Sequence, residues 1–176
     1  HCPLAGYSDF LFFSLFNRSG NFIDREKDPS VTSCIYGSIA CLDALNHYHD
    51  KCETVKESIA RAAEFFLSRK MFKTSDNRVI RPRYGWNRDF RLLGLPVLSQ
   101  YDILFGLRVI AHAGYIKDAR TGEAFNLIMQ KQNNDGTWNL ESASTGMLVQ
   151  NKSKGLMGRR NKWVTLNAVR LLHALG

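Results

Sequence analysis

The sequence predicts an all-α protein, because apolar residues recur at helical spacing in five segments and no segment is clearly patterned as a strand. Cap and turn signals separate these segments. With 176 residues, 44% of them hydrophobic, the chain can bury one sizeable core. We therefore predict a single helical domain over residues 1–176, built of helical hairpins.

The first half of the chain is predicted to hold two clear helices. The apolar stretch 7–16 has no clear period and is left open as a sixth helix, and a polar loop over 17–30 follows it. A helix is predicted over 33–48. The capping-box pattern Thr54-x-x-Glu57 then predicts a helix over about 54–69.

Three more helices are predicted after an irregular, basic and aromatic stretch over 71–95. Ser99-x-x-Asp102 predicts the start of one that ends at Gly114, and Asp118 starts the next, which leads to Gln132. After a long polar connection over 139–160, Asn161 is predicted to cap the last helix. Four apolar residues of that helix are predicted to share a face: Trp163, Leu166, Val169 and Leu172.

One loop motif carries more information than any other feature of the chain. After the helix through Ile128, the sequence gives Gln132, then Asp135-Gly136-Thr137-Trp138, a Q-x3-G-x-W pattern. Asx residues and glycine stop the helix, because Asx side chains bond their own backbone and glycine accepts a positive φ. The Trp138 ring is predicted to cover the junction to the next helix.

This motif resembles the QW repeat of the squalene–hopene cyclase and protein prenyltransferase superfamily. Leu127 stands where that repeat has an aromatic residue. The closing run Lys162-Trp163-Val164-Thr165-Leu166 is similar to the ending of small bacterial squalene-cyclase-like proteins. The resemblance covers roughly residues 33–175. It implies an (α/α) toroid or partial toroid, of which this chain would be the carboxy-terminal part.

The resemblance also implies isoprenoid cyclase or transferase chemistry, but it carries over no catalytic residue. Hopene-type cyclases protonate their substrate with a D-x-D-D motif, and every aspartate here stands singly. The Asp, Cys and His ligands that hold zinc in protein prenyltransferases cannot be placed on this sequence. Whether the chain is an enzyme, and on what substrate, is therefore left open.

Basic residues cluster in two connections and suit an anionic partner, as does the net charge of +8. Arginine forks match phosphate geometry, and aromatic faces can pack on prenyl chains. In a toroid both connections would reach one rim around an apolar cavity, where an isoprenoid or lipid-like molecule would bind. The predicted substrate-binding residues of this basic rim are Arg81, Arg83, Trp86, Arg88, Arg91, Arg159 and Arg160. The alternative to a ligand-binding rim is that these residues lie in solvated loops that bind no ligand.

The motif residues Gln132, Asp135, Gly136, Trp138 and Trp163 are interpreted as structural, with the tryptophans packing or locking loops. The alternative to ligand binding is a non-catalytic helical scaffold or interaction domain, and self-association through an exposed apolar face is left open. Nucleic acid binding is not expected, because no recognition module accompanies the charge.

No metal or other cofactor is expected. The densest group of potential metal ligands, His47, His49 and Cys52, lies where a helix is predicted to end, and such an end also favours histidine without any metal. The four cysteines do not have the spacing of a disulfide scaffold. No run of about 18 apolar residues predicts a membrane span. We predict a cytoplasmic protein.

Overall fold

The protein is described from a computed structural model that covers residues 35–49, 51–74, 77–80, 89–94, 101–142 and 157–175. The described residues form helices and isolated β-bridges, and no strand occurs among them. The all-α prediction is therefore confirmed for this part of the chain. The predicted segments 7–16 and 17–30 lie outside the described residues. The chain divides into two compact units, residues 1–65 and 66–176.

The first unit contains helix α1, Ile35–His47, and most of helix α2, Glu53–Leu67. Both match predicted helices, but the capping box is wrong. The Lys56 amide donates to the Cys52 carbonyl at 3.1 Å, which makes Cys52 the first residue to accept a helical hydrogen bond. Thr54 therefore already lies in the first turn of α2, where its side chain is not the cap.

The second unit is built around helix α3, Ile103–His112, which contacts two later helices. A 3₁₀ turn, Ala119–Thr121, runs directly into helix α4, Gly122–Gln130, and the last helix, α5, spans Lys162–His173. The Asp118 side chain accepts the Arg120 amide at the start of this 3₁₀ turn, as the predicted helix start there requires.

Asp102 itself is the N-cap of α3, so the prediction that a Ser99 capping box begins this helix is wrong. Its carboxylate accepts the Phe105 amide and the Gly94 amide, each at 2.8 Å. Ser99 lies outside the described residues. At the other end Gly114 adopts a φ of +87°, the left-handed conformation that ends helices and that glycine adopts without strain.

Tyr101 closes the core beside α3. Its buried hydroxyl donates to the Met71 carbonyl at 2.6 Å, and its ring stacks on Phe66 and meets Phe90 edge to face. The ring lies so close to α3 that a Cβ at Gly106 would come within 2.8 Å of Tyr101 Cε2. Only glycine fits at position 106 without a shift of the tyrosine.

Helix α5 presents a different face to the core from the one that the sequence suggests. Its buried residues are Val164, Asn167, Ala168 and Leu171. Three of the four apolar residues predicted to share a face lie on the solvent side of the helix: Trp163 is exposed by 52%, Leu166 by 39% and Val169 by 49%. The expectation that Trp163 packs or locks a loop is therefore wrong, because more than half of its surface meets solvent.

Candidate functional site

The Gln132–Trp138 motif folds into a tight turn at the end of α4. Gln132 and Trp138 form an antiparallel bridge, and the Asn133 amide donates to the Thr137 carbonyl at 2.8 Å. Asp135 accepts hydrogen bonds from the Thr137 hydroxyl and amide, which lower its pKa. Gly136 has a φ of +81°, as a glycine in this type of turn should.

Trp138 joins the end of α4 to the start of α5. Its side chain is fully buried, and its indole Nε1 donates to the Ile128 carbonyl at 2.8 Å. Its backbone faces the other helix: the amide donates to the Thr165 hydroxyl at 3.0 Å, and the carbonyl accepts the Asn161 amide at 2.9 Å. One residue therefore holds the connection between two helices, as the motif predicts.

Hydrogen bonds bring three separate loops together beyond this turn. The Glu141 amide donates to the Leu93 carbonyl at 2.9 Å, and Gly94 bridges to Ser142. On the other side, the Leu140 amide donates to the Arg159 carbonyl at 2.9 Å. We call this arrangement the three-loop edge and define it as residues 89–94, 131–142 and 157–162. It is the candidate site, because it brings parts of both predicted basic connections onto one intervening segment.

Three basic residues of the three-loop edge are already paired with carboxylates. Arg91 bonds Asp89 through two nitrogens, and this contact lowers the pKa of Asp89 and raises that of Arg91. Lys131 lies 2.5 Å from Glu141 Oε2, and Arg160 lies 3.0 Å from Asp135 Oδ2. These pairs reduce the charge that the three cations can offer to a ligand. They also restrict the positions of their side chains.

Glu141 does more than neutralise Lys131. The same oxygen, Oε2, accepts the Leu93 amide at 2.8 Å, so this carboxylate ties two loops of the three-loop edge together. Sequence reasoning missed both Lys131 and Glu141 as members of the site. No local signal marks them, because they stand ten residues apart and meet only when the turn at Gly136 has formed.

Arg159 and Lys162 are the basic residues of this edge that remain for a ligand. Both are exposed, and within the described ranges neither lies at ion-pair distance from a carboxylate. Lys162 instead lies 5.5 Å from the centre of the Trp163 ring, a cation–π distance. The available positive charge is therefore concentrated at the start of α5.

Of the predicted substrate-binding residues, Arg91, Arg159 and Arg160 are described and belong to the three-loop edge. Arg81, Arg83, Trp86 and Arg88 lie outside the described residues. Whether they join this edge stays a prediction.

Of the three potential metal ligands His47, His49 and Cys52, one is not available to bind a metal. Cys52 is in a disulfide bond, so it offers no thiolate to a metal. His47 Nδ1 lies 2.8 Å from the Asp43 carbonyl oxygen, as expected for a histidine at a helix end, and the His49 ring lies beside that of Tyr48. A disulfide-bonded Cys52 cannot serve as the thiolate of such a site, and the absence of zinc stays a prediction.

The cysteines also bear on the predicted compartment. Cys41 is free and partly buried, and burial raises its pKa. Disulfides such as that of Cys52 persist mainly in oxidising compartments. The cytoplasmic location stays a prediction, and the disulfide is the observation that weighs on it. Within the described ranges, no helix has the length and apolar character to cross a membrane.

The chain matched no protein-family description, no characterised protein and no solved structure. The geometry of the three-loop edge and the sequence resemblance are therefore what a proposed function rests on.

Proposed function

We propose that the chain is part of an (α/α) toroid of the squalene-cyclase and prenyltransferase type, and that it binds an isoprenoid or lipid-like molecule with an anionic head. The single observation that carries this proposal is the three-loop edge. There one hydrogen-bonded segment, 139–142, joins the loop of Arg91 to the loop of Arg159.

The joint between α4 and α5 supports the toroid. Such folds are made of repeated helical hairpins with short connections. Trp138 fixes one such connection here, because its side chain bonds the end of α4 while its backbone bonds the start of α5, and both helices contact α3. The turn after α4, in which Gly136 has a positive φ, and the Asn161 cap of α5 are the local features that the resemblance would require.

The charge distribution supports an anionic head group. Arg159 and Lys162 lack a carboxylate partner within the described part of the chain, so a phosphate or diphosphate would meet two cations that no ion pair neutralises. Arg91 and Arg160 would contribute less, because Asp89 and Asp135 already hold them. Charge-assisted contacts to phosphate are short, directional and weakened by salt.

The alternative is a non-catalytic scaffold that uses the same helical packing without a small-molecule ligand. The ion pairs of the three-loop edge favour this alternative, since they hold the edge together without any ligand. Arg160–Asp135 joins two loops, whereas Arg91–Asp89 and Lys131–Glu141 each lie within one loop. Native mass spectrometry of the purified protein separates the two. A bound prenyl or acyl species supports the ligand proposal, and its absence from protein purified under mild conditions supports the scaffold.

Calorimetry with farnesyl diphosphate tests the proposed head-group site. We expect binding at low salt that weakens at high salt, and weaker binding of farnesol, which has the same tail without the charge. Replacing Arg159 and Lys162 together by glutamine should reduce diphosphate affinity about tenfold or more, at two charge-assisted contacts. Lys117→Gln, a change at an exposed lysine outside the edge, is the matched control and should leave affinity unchanged. Equal binding of diphosphate and alcohol would overturn the proposal.

A further inference from the structure

The exposed side of α5 has a composition unlike that of an ordinary solvated helix. Four large apolar side chains within one short stretch are exposed: Met157 by 43%, together with Trp163, Leu166 and Val169 at the fractions given above. Trp163, Leu166 and Val169 follow one another at intervals of three, so they form a row on the helix surface. We call this row, with Met157 in the preceding turn, the α5 outer row.

The acidic side chain recorded at ion-pair distance from residues 157–175 is that of Asp135, which pairs with Arg160, and the charges that α5 and its preceding turn themselves carry are positive. Residues 157–175 contain no aspartate or glutamate, whereas Arg159, Lys162 and Arg170 are exposed. Lys162 lies over the Trp163 ring at 5.5 Å, so the cation and the aromatic ring share one part of the surface. The surface is therefore apolar in its centre and basic at its margins.

We propose that the α5 outer row docks on an anionic lipid bilayer at the level of the head groups. Tryptophan favours that depth, because its ring is apolar while its N–H can still reach polar groups. Aliphatic side chains such as Leu166 and Val169 would enter the acyl boundary, and flanking lysine and arginine would meet the anionic head groups. This inference shares Lys162 with the proposed head-group site, but it requires no isoprenoid ligand.

Charge complementarity selects this partner over a second copy of the chain. Pairing two outer rows would bring Lys162 and Arg170 of one molecule against the same cations of the other, with no acid on either helix to compensate. A net charge of +8 opposes self-association further. A negatively charged, flat surface receives protruding side chains without a complementary groove, which a protein partner would have to provide.

Vesicle co-sedimentation tests the proposal with no isoprenoid present. We expect binding to vesicles that mix phosphatidylserine with phosphatidylcholine, weak binding to pure phosphatidylcholine, and release at high salt. Each of Lys162→Gln and Arg170→Gln should weaken binding about fivefold, the effect of one charge near such a surface. Trp163→Ala should weaken it about tenfold through lost apolar burial. Lys117→Gln should leave binding unchanged.

A thermal melt first establishes that each variant is folded, which we expect because every substituted side chain is exposed. Equal binding to neutral and anionic vesicles, or unchanged binding of Trp163→Ala, would overturn the proposal. If neither vesicle binds but a soluble acidic amphipathic peptide does, in a manner that requires Trp163, the surface belongs to a protein partner and the proposal is wrong. Farnesyl diphosphate calorimetry on Trp163→Ala distinguishes the two proposals. The variant should keep its affinity for the diphosphate, because the head-group site uses Arg159 and Lys162, while its vesicle binding weakens.

Discussion

The indole N–H of Trp138 donates to the carbonyl of Ile128 at 2.8 Å, inside a fully buried contact. The same carbonyl also accepts the Lys131 amide at 3.1 Å, so the indole adds a second hydrogen bond to it in the last turn of α4. Because the backbone of the same tryptophan bonds Thr165 and Asn161, the contact fixes where α5 begins. The geometry explains why a tryptophan suits this position better than another large apolar residue.

Trp138→Ala is therefore expected to destabilise the protein by about 3–5 kcal/mol, the usual cost of removing a buried large aromatic side chain. Trp163→Ala is the matched control, since it removes the same side chain from a position that is 52% exposed, and it should cost less than about 1 kcal/mol. Urea denaturation of both variants measures the difference. Equal losses would mean that Trp138 is not the joint between the helices.

Gly106→Ala is expected to destabilise the protein by about 1–3 kcal/mol, since the new methyl group would overlap the Tyr101 ring, which is held by its bond to Met71. Gly122 offers the matched control in the first turn of α4. Its φ is −57° and an added Cβ would meet nothing within 4 Å, so Gly122→Ala should be neutral or slightly stabilising. Thermal melts of the two variants should shift apart, and a harmless Gly106→Ala would contradict the close approach.

Asp102 should make folding stability depend on pH between about 4 and 6. Burial raises the pKa of its carboxyl from 3.8 to about 6, against the opposing effect of its backbone hydrogen bonds. A carboxyl whose pKa is higher in the folded state binds its proton more tightly there. Its contribution to stability is therefore largest below pH 3.8 and is lost as pH rises through 6.

The measurement compares the free energy of unfolding of the wild type and of Asp102→Asn at pH 5 and at pH 7. The free energy of unfolding of the wild type, relative to that of Asp102→Asn, should be larger at pH 5 than at pH 7. Asp118→Asn is the control, because hydrogen bonds from Arg120 lower the pKa of Asp118 to about 2. That contribution is fully present at both pH values and is lost only as pH falls toward 2. A difference for Asp102 that stays constant would contradict the raised pKa.

Cys52 should be oxidised in the purified protein, and zinc should be absent at stoichiometric levels. Mass spectrometry after alkylation without reduction is expected to leave Cys52 unlabelled and, once the protein is denatured, to label Cys41. Reduction should expose Cys52 to the reagent. Elemental analysis that finds about one zinc per chain, lost in Cys52→Ala, would instead restore the metal site.

The sequence by itself determined the features that depend on neighbours along the chain. The Asn161 cap, the Asp118 start and the Gly136 turn are confirmed, because each is a bond or a dihedral set within a few residues. The prediction that Ser99 caps α3 failed because one of the hydrogen bonds that place the cap is not local. Asp102, three residues later, accepts the Phe105 amide and the distant Gly94 amide, and a local pattern does not reveal the second bond.

The tertiary structure alone decided which side of α5 is buried and which cations remain available. Apolar residues occupy every side of that helix, so spacing could not choose between the Trp163 row and the Val164 row, and packing against the rest of the unit chose Val164. In the same way Lys131 and Glu141 meet only after the turn at Gly136 reverses the chain. Local bonds set where helices begin and end, whereas long-range packing sets their rotation and therefore the surface they present.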